Sequence, residues 1–354
     1  MSLRARRFLP LRPINPSPLN GRFILAKKQS EWRSEGSVGA TADSQRGSTG
    51  DLFSPARSNP TVQPSNAKSR LLGSEQRTPF LDRLIDLSTR PVPLRTLILR
   101  RILQKVPIGS YRARLHAGAV DRPWYGWCLY HAAVEARALG YSALTTIEFG
   151  VAGGSGLLCL CRHRDEIERE IGIEILVHGF DMVTGLPNSD DPRDLLYVWP
   201  PGSFEMNIGL LKERIRGKAE LTLGDITHTI PAWRARDDAP VGAIMFDLDL
   251  YTSTRDALTI LTSASTLPRV WCYFDDISGS PVNAYSDFTG VREAIRQFNL
   301  DPQRTTRQQH LSRAFAFRGM VPENWHASCY VYHQLQHPDY SRCLSKEKHQ
   351  LHLS

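Results

Sequence analysis

Cysteine is scarce in this sequence, with six in 354 residues, which is too few for a small disulfide-stabilised scaffold. Long apolar runs are also missing, because no stretch approaches the roughly 18 apolar residues that a transmembrane helix needs. These two absences exclude a disulfide-rich protein and an integral membrane protein. The hydrophobic fraction of 41% and the charged fraction of 23% are those of an ordinary globular chain.

Residues 1–75 have few acidic and aromatic side chains. They hold 12 of the 44 lysines and arginines but only 5 of the 36 acidic residues, so most of the net charge of +8 belongs to this segment. A nucleic-acid-binding function therefore loses its main support, because the rest of the chain is nearly neutral. Ser, Gly and Pro make up a third of the segment, which predicts a disordered tail. A non-functional extension or an upstream start codon is favoured over an organelle transit peptide. The opening residues are not expected to be a secretory signal, because they have no apolar core of seven or more residues.

Three amphipathic patterns follow the tail. Residues 79–90 and 94–106 are spaced as short helices, and a stronger helix begins at Pro123 and closes at Gly140. We therefore predict an N-terminal helical cap over residues 79–140, which could form a lid or merely cover a sheet.

Residues 141–340 alternate between strand and helix patterns, and residues 341–354 are predicted to be a C-terminal tail. This alternation predicts an α/β fold: a doubly wound, mostly parallel, Rossmann-like sheet with helices on both faces. The predicted strands are 144–150, 173–181, 219–225, 241–249 and 269–276, with two late strands in AFAFRG and SCYVYHQL.

Carboxylates stand at the ends of all five of the earlier strands. Parallel strands end on one rim of the sheet, and ligands bind at that rim. A single carboxylate there is usually a helix cap, but five strands ending in this way indicate a site with a compensating cation. The residues are Glu148, Asp181, Asp225, Asp247, Asp249, Asp275 and Asp276.

The first of these strands runs into the glycine-rich turn 148–156, EFGVAGGSG. Its spacing does not fit G-x-G-x-x-G, and it lacks the Lys-Ser/Thr of a phosphate-binding loop. Glu148 before the glycines favours a ligand with an amino group over a pyrophosphate. Asp181 is placed to accept the hydroxyl groups of a ribose. Asp225 could reach an adenine edge, and a helix cap is an equally good interpretation.

Two acidic pairs close strands four and five. Asp247 and Asp249 point the same way if the strand persists, and Asp275 and Asp276 end the neighbouring strand. Several carboxylate oxygens at one place favour a hard cation such as Mg²⁺, Mn²⁺ or Ca²⁺. The alternative is that Asp249 and Asp276 cap the helices that follow.

Several motifs, in order, resemble the macrocin O-methyltransferase family and its uncharacterised relatives, over residues 144–300. They are IEFGVAGGSG, GFDMVTGLP, GSF, LGDITHTIP, FDLDLYTSTRDAL and YFDDI. The resemblance implies a class I methyltransferase dependent on S-adenosylmethionine (SAM), with a seven-strand sheet, a late antiparallel strand and Mg²⁺-assisted methylation of a sugar or phenol hydroxyl. The glycine turn is one residue shorter than in characterised members, and the long leader is not a family feature.

The resemblance also implies roles for individual residues. Asp247, Asp275 and Asp276 would be metal ligands, and Asp249 the general base. SAM would bind at the glycine turn and the next two strand ends. The expected SAM-binding residues are Glu148, Gly150, Gly153, Gly154, Ser155, Asp181 and Asp225.

Other functions stay open at this point. A metal-dependent glycosyltransferase would use D-x-D to bind a nucleotide-sugar, and a catalytically inactive SAM-binding module would keep the fold alone. We expect a cytoplasmic enzyme with a small-molecule acceptor and with no nucleic-acid or membrane partner. The sequence does not give the oligomeric state, and a homo-oligomer is one of the open states.

Overall fold

The computed structural model describes residues 92–279 and 281–345, which all belong to one compact unit, Glu75–Ser354. The predicted tail at 1–75, the helix over 79–90 and the end of the C-terminal tail lie outside the described residues. Within the described ranges, no helix is both long and apolar enough to cross a membrane.

Helices and strands alternate along the described chain, as the patterns predict. The helices are α1 (Leu94–Lys105), α2 (Tyr111–His116), α3 (Pro123–Leu139), α4 (Ser155–Ile171), α5 (Ile208–Ile215), α6 (Ile226–Ala232), α7 (Tyr251–Ala257), α8 (Ile260–Ser263), α9 (Gly290–Leu300) and α10 (Pro302–Thr306). The strands are β1 (Ala143–Phe149), β2 (Glu174–Asp181), β3 (Glu220–Leu223), β4 (Val241–Phe246), β5 (Thr266–Phe274), β6 (Gln309–Arg313) and β7 (Cys329–Gln334).

The seven strands form one sheet in the order β3-β2-β1-β4-β5-β7-β6. Strands β1 to β5 are parallel to one another, whereas β7 is antiparallel to both β5 and β6. The predicted α/β fold with seven strands and a late antiparallel strand is therefore confirmed. The chain runs outward from β1 in one direction and returns to start β4 on the other side. A crevice opens at such a reversal, at the carboxyl ends of the strands.

Each face of the sheet carries its own hydrophobic core. Successive strand residues point to opposite faces, so Ala243 and Met245 pack into one core while Ile244 and Phe246 pack into the other. Helix α3 contributes the fully buried Trp127 to the first core. This burial on both faces explains why the central strands are almost continuously apolar.

The predicted helix over 123–140 is confirmed. Pro123 occupies its first turn, where a missing N–H costs nothing. Gly140 ends it with φ +93°, a left-handed conformation that glycine adopts without strain. Helix α3 packs against β4, β5 and α4, so its amino end comes to the rim of the sheet at a fixed position.

One strand prediction was wrong. The segment AFAFRG is not a strand, since the late strand β6 is the preceding Gln309–Arg313. That strand is polar and buries Leu311 while Phe315 is 93% exposed, so hydrophobicity pointed to the wrong segment. Helix α5 begins at Ile208, because the side chain of Asn207 accepts the N–H of Leu210 and caps it.

Candidate active site at the carboxyl edge of the sheet

Four phenylalanine rings form a row across the sheet just beneath its carboxyl edge. The ring centroids are 4.9 Å apart for Phe149 and Phe180, 5.5 Å for Phe149 and Phe246, and 4.6 Å for Phe246 and Phe274. In each of these three pairs, the two phenylalanines are in-register partners on adjacent strands. Because the rings fix the strand ends relative to one another, the residues that follow them emerge side by side.

The residue after each ring lines one cleft of about 460 Å³. Most of the residues predicted for the site line it too, together with the aromatic side chains of Phe180, Trp199 and Phe204. The predicted residues brought together here are Glu148, Gly150, Gly153, Ser155, Asp181, Asp247, Asp249, Asp275 and Asp276.

Glu148 lies at the floor of the cleft and is only 1% exposed. Its Oε1 accepts a hydrogen bond of 2.9 Å from the Tyr125 hydroxyl, whereas Oε2 is buried with no partner among the residues that the structure describes. Burial, followed by the nearby Asp247, raises the pKa of Glu148 well above its ordinary value. A buried carboxylate oxygen without a donor is costly, so this atom is suited to a cationic N–H group of a ligand.

The glycine turn lets the chain pass close to the backbone of Asp247 and to the carboxylate of Glu148. At Gly150, whose φ is +82°, a Cβ atom would lie 1.8 Å from the carbonyl oxygen of Asp247. At Gly156 a Cβ atom would lie 1.8 Å from Oε1 of Glu148. A side chain at either position would collide with the site, and this is the physical reason for glycine there. Gly154, with φ +78°, is the residue before α4, and its Cβ would collide with Leu211.

Asp181 and Asp225 both accept backbone N–H groups. Asp181 accepts from Ala152 at 2.8 Å and from Val183 at 2.6 Å, so it also holds the glycine turn in place. Asp225 accepts the N–H and hydroxyl of Thr227 and caps α6. Gly224 and Ile226 line the cleft, but Asp225 does not. The role of Asp225 as a helix cap is therefore supported by its hydrogen bonds. No contact described here supports the predicted approach of Asp225 to an adenine.

Asp247, Asp275 and Asp276 come together at the ends of β4 and β5. One carboxylate oxygen from each lies within 4.8 Å of the others. The hydroxyl of Tyr273 donates to Asp275 and that of Tyr285 donates to Asp276, both at 2.8 Å. Two of the three carboxylates, those of Asp275 and Asp276, are therefore held in orientation by tyrosine hydroxyls.

Electrostatic repulsion inside this group is visible in Asp247. Burial, and then the charges of Asp275 and Asp276, raise its pKa to about 8. Three clustered carboxylate oxygens are ligands of the type that hard divalent cations prefer. A bound divalent cation would relieve the repulsion, so the donor set fits Mg²⁺ or Mn²⁺.

Asp249 does not follow the extended geometry that sequence suggests. Strand β4 ends at Phe246, and Asp249 has φ +58°, so the alternation of a strand does not extend to it. Its N–H donates to Oδ2 of Asp276 at 3.2 Å, and it lines the cleft beside the three aspartates. Asp276 thus links the backbone of Asp249 to the acidic cluster.

Sequence reasoning missed two contributors from the start of α3. Tyr125 supports Glu148, and Arg122 lines the cleft with its guanidinium donating to Ser155 Oγ at 2.9 Å. Sequence reasoning also missed Asp194. This fully buried residue accepts the N–H and the hydroxyl of Thr252, both at 2.8 Å, and fixes the start of α7. A signal existed for the rim itself, because each of the last three rings is followed by aspartate, in Phe180-Asp181, Phe246-Asp247 and Phe274-Asp275.

Comparison with solved structures found several O-methyltransferases. CalS11, a calicheamicin methyltransferase, is 21% identical with a TM-score of 0.42, and the match covers 75% of this chain and 95% of that chain. The O-methyltransferase from Bacillus cereus in complex with SAH is 13% identical with a TM-score of 0.33, and the match covers 66% of this chain and 96% of that chain. The O-methyltransferase TomG from Streptomyces achromogenes, solved with SAM, is 12% identical with a TM-score of 0.33, and the match covers 73% of this chain and 97% of that chain.

No protein-family model matches the chain, and neither does any curated protein. The solved structures reported above are therefore the proteins that this chain is found to be similar to, at identities of 12–21%.

Proposed function

We propose that this protein is an SAM-dependent O-methyltransferase that uses a divalent cation, such as Mg²⁺, to methylate a hydroxyl group of a small molecule. One observation carries the proposal. A buried carboxylate beside a glycine turn and a cluster of three aspartates open into the same cleft. The first suits a donor with an amino group, and the second suits a hard cation that binds an acceptor oxygen.

The donor would lie along the β1–β2 side of the cleft. The unpartnered Oε2 of Glu148 would accept from its amino group, and Gly150 and Gly153 would allow its close approach to the backbone. Asp181, at the end of β2, would accept from its ribose hydroxyls. A pyrophosphate is disfavoured in this place, because the carboxylate of Glu148 would repel it.

The cation would be held by Asp247, Asp275 and Asp276. When bound, such an ion lowers the pKa of a coordinated hydroxyl and fixes its oxygen. The hydroxyls of Tyr273 and Tyr285 hold two of these carboxylates in place, as outer partners of a metal site do.

Asp249 would act as the general base. It lies beside the acidic cluster and lines the cleft, within reach of a hydroxyl held there. In the reaction the acceptor oxygen forms a bond to the methyl carbon as the bond from that carbon to sulfur breaks. The hydroxyl proton passes to the carboxylate of Asp249, and the products are a methyl ether and S-adenosylhomocysteine (SAH). In-line placement of oxygen, carbon and sulfur supplies much of the catalysis.

The acceptor would enter beside the loop after β2. Trp199 and Phe204 line the cleft there, with ring centroids 6.2 Å apart. Such rings stack on a phenol or on the apolar face of a sugar. A sugar or phenol hydroxyl is therefore the acceptor class that we propose.

A thermal-shift comparison tests the proposal against a glycosyltransferase. SAH should raise the melting temperature, and Mg²⁺ should raise it further, whereas a UDP-sugar should add nothing to the effect of Mn²⁺ alone. Stabilisation by the UDP-sugar and not by SAH would overturn the proposal. If SAH binds, incubation of the protein with SAM, Mg²⁺ and pooled sugars and phenols should give a product heavier by one methylene group in mass spectrometry. SAH binding without product from any such pool would favour an inactive binding module.

A further inference from the structure

Helix α1 and the residues that follow it present an apolar surface to solvent. The helix has no buried residue, and six of the sixteen large apolar side chains that are exposed in the described residues lie within residues 94–108. Each is 46–66% exposed. Single exposed apolar residues are ordinary, whereas a contiguous group marks an interaction site. We call this group the α1 patch: Leu94, Ile98, Leu99, Ile102, Val106 and Ile108.

The fold holds α1 by one face and leaves the other open. Leu94, Ile98 and Ile102 follow one another at intervals of four residues, and residues four apart are neighbours on a helix surface. They therefore form a stripe along the exposed face. On the other side, the half-buried Arg100 forms an ion pair with Glu323 in the loop before β7. This pair fixes the orientation in which the patch is presented.

The surroundings of the α1 patch are basic. Residues 92–120 contain six lysines and arginines and no acidic residue. Arg95, Arg101 and Lys105 are exposed on the helix itself, and the chain before α1 adds further positive charge. Residues 1–120 carry 21 basic residues against 7 acidic ones, whereas residues 121–354 carry 23 against 29. The positive charge of the protein is thus concentrated in the part of the chain that contains the patch.

This combination of apolar and basic side chains restricts what can cover the patch. A second copy of the chain is disfavoured, because a self-complementary interface would bring the exposed cations of one α1 against those of the other. A nucleic acid would pair with the cations but leave the aliphatic side chains in water. An anionic bilayer accommodates both, because its headgroups attract lysine and arginine while the headgroup–acyl boundary takes up aliphatic side chains.

We propose that the α1 patch binds the surface of an anionic phospholipid bilayer, with the helix lying in the plane of the interface. The helix has 12 residues and does not cross the bilayer, which takes about 20. The sequence-based expectation was that there is no membrane partner. The spacing of residues 94–106 predicts a helix but does not show which face the fold leaves open. The inference is independent of the proposed methyl transfer.

Sedimentation of the full chain with phospholipid vesicles tests this inference. Vesicles of phosphatidylcholine with about a third of phosphatidylserine should bind the protein at least about tenfold more tightly than phosphatidylcholine alone, since each cation near an anionic surface contributes about fivefold. Added salt should weaken the binding, because it screens this attraction.

A first pair of variants tests the apolar side chains. Ile98→Ser/Ile102→Ser should weaken binding to the anionic vesicles about tenfold or more, because it removes apolar area that would leave water at the bilayer. Leu300→Ser/Leu335→Ser removes two exposed aliphatic side chains elsewhere and should bind like the wild type. All four positions are exposed, so both variants should melt like the wild type.

A second pair of variants tests the charges and does not depend on the first. Arg101→Gln/Lys105→Gln should weaken binding to the anionic vesicles about tenfold or more, with little change for phosphatidylcholine alone. Arg137→Gln/Lys212→Gln removes the same charge from exposed positions outside α1 and should have a much smaller effect.

No binding of the wild-type protein to anionic vesicles would overturn the inference. Wild-type affinity in both α1 variants would overturn it too, because the contact would then lie elsewhere in the chain. A wild-type dimer in analytical ultracentrifugation that dissociates in Ile98→Ser/Ile102→Ser, without vesicle binding, would assign the patch to a second copy instead. None of these results bears on SAH binding, so the proposed function stands or fails separately.

Discussion

On the β1–β2 side of the cleft, Glu148 is buried with one oxygen unpartnered, whereas on the β4–β5 side three aspartates bring their oxygens within 4.8 Å of one another. Both groups adjoin the row of phenylalanine rings, Glu148 just before Phe149 and the aspartates just after Phe246 and Phe274, so they lie at the same level of the sheet. The two groups differ in the number of carboxylates and in the side chains around them. A single buried acid with a tyrosine donor suits one ammonium group, while three mutually repelling acids need a divalent charge.

The comparison teaches that a carboxylate at a strand end has no fixed meaning. Asp181 and Asp225 lie at equivalent positions, yet both accept backbone N–H groups and support turns. What separates the two uses is whether the oxygens of neighbouring carboxylates converge, as those of Asp247, Asp275 and Asp276 do, or accept the N–H groups of a turn, as those of Asp181 and Asp225 do. Because their contacts are separate, the two sides of the cleft should act independently.

The largest effect is expected at Asp249. Asp249→Asn should lower kcat about 10²- to 10⁴-fold, the usual contribution of a general base, while the affinity for SAH stays within about twofold. Asparagine tolerates the left-handed backbone at this position, so the fold should be retained. Steady-state kinetics with an identified acceptor and calorimetry with SAH make the measurement, and unchanged turnover would remove Asp249 from the role.

The next largest effect is expected at Asp247. Asp247→Asn should weaken Mn²⁺ binding about 100-fold, because it removes a direct ligand, and loss of outer partners alone costs 10- to 100-fold. Its effect on SAH should be much smaller. Binding of Mn²⁺ followed by electron paramagnetic resonance gives the readout.

Asp225→Asn is the matched control for Asp247→Asn. It removes an equivalent strand-end charge but keeps the cap of α6, since asparagine caps as well as aspartate. Equal loss of Mn²⁺ affinity in both variants would show a nonspecific charge effect instead of a site.

Glu148→Gln should act on the opposite side of the cleft. Exchanging a charge-assisted hydrogen bond for a neutral one should weaken SAH about tenfold and leave Mn²⁺ binding unchanged. The melting temperature should equal or exceed that of the wild type, because a buried carboxylate with a raised pKa is replaced by a neutral group. Calorimetry and thermal melting check the two parts, and a loss of Mn²⁺ affinity would contradict the separation.

The smallest effects are expected at two tyrosines that support one side each. Tyr125→Phe removes the donor to Glu148, and Tyr285→Phe removes the donor to Asp276. Each should weaken only its own ligand, SAH or Mn²⁺ respectively, by about three- to tenfold, the value of one hydrogen bond. A pair of titrations on each variant decides the question, and a crossed pattern would contradict the account.

Much of the fold was predictable because the central strands carry their own signal. Strand β4 is a continuous apolar run, β1 and β2 are mostly apolar, and Gly140 marks the end of a helix by its conformation. The edge was harder, since β6 is polar and buries only alternate residues such as Leu311. An edge strand beside solvent does not need the apolar pattern that identifies a central one.

The site was predictable where function depends on strand ends, and less so where it depends on long-range contacts. The convergence of Asp247, Asp275 and Asp276 follows from sheet topology alone. The contribution of Arg122 does not, because nothing in the local sequence says that the start of α3 meets the start of α4. Asp194 was missed for the same reason, as its partner Thr252 is 58 residues away.

The central claim is that a donor site and a cation site share one cleft. A crystal structure of the protein soaked with SAH and Mn²⁺, recorded with anomalous scattering from manganese, tests it most directly. The account predicts a manganese peak bounded by Asp247, Asp275 and Asp276, with SAH along the glycine turn and its amino group on Glu148. Manganese bound away from the three aspartates, or SAH bound outside this cleft, would contradict it.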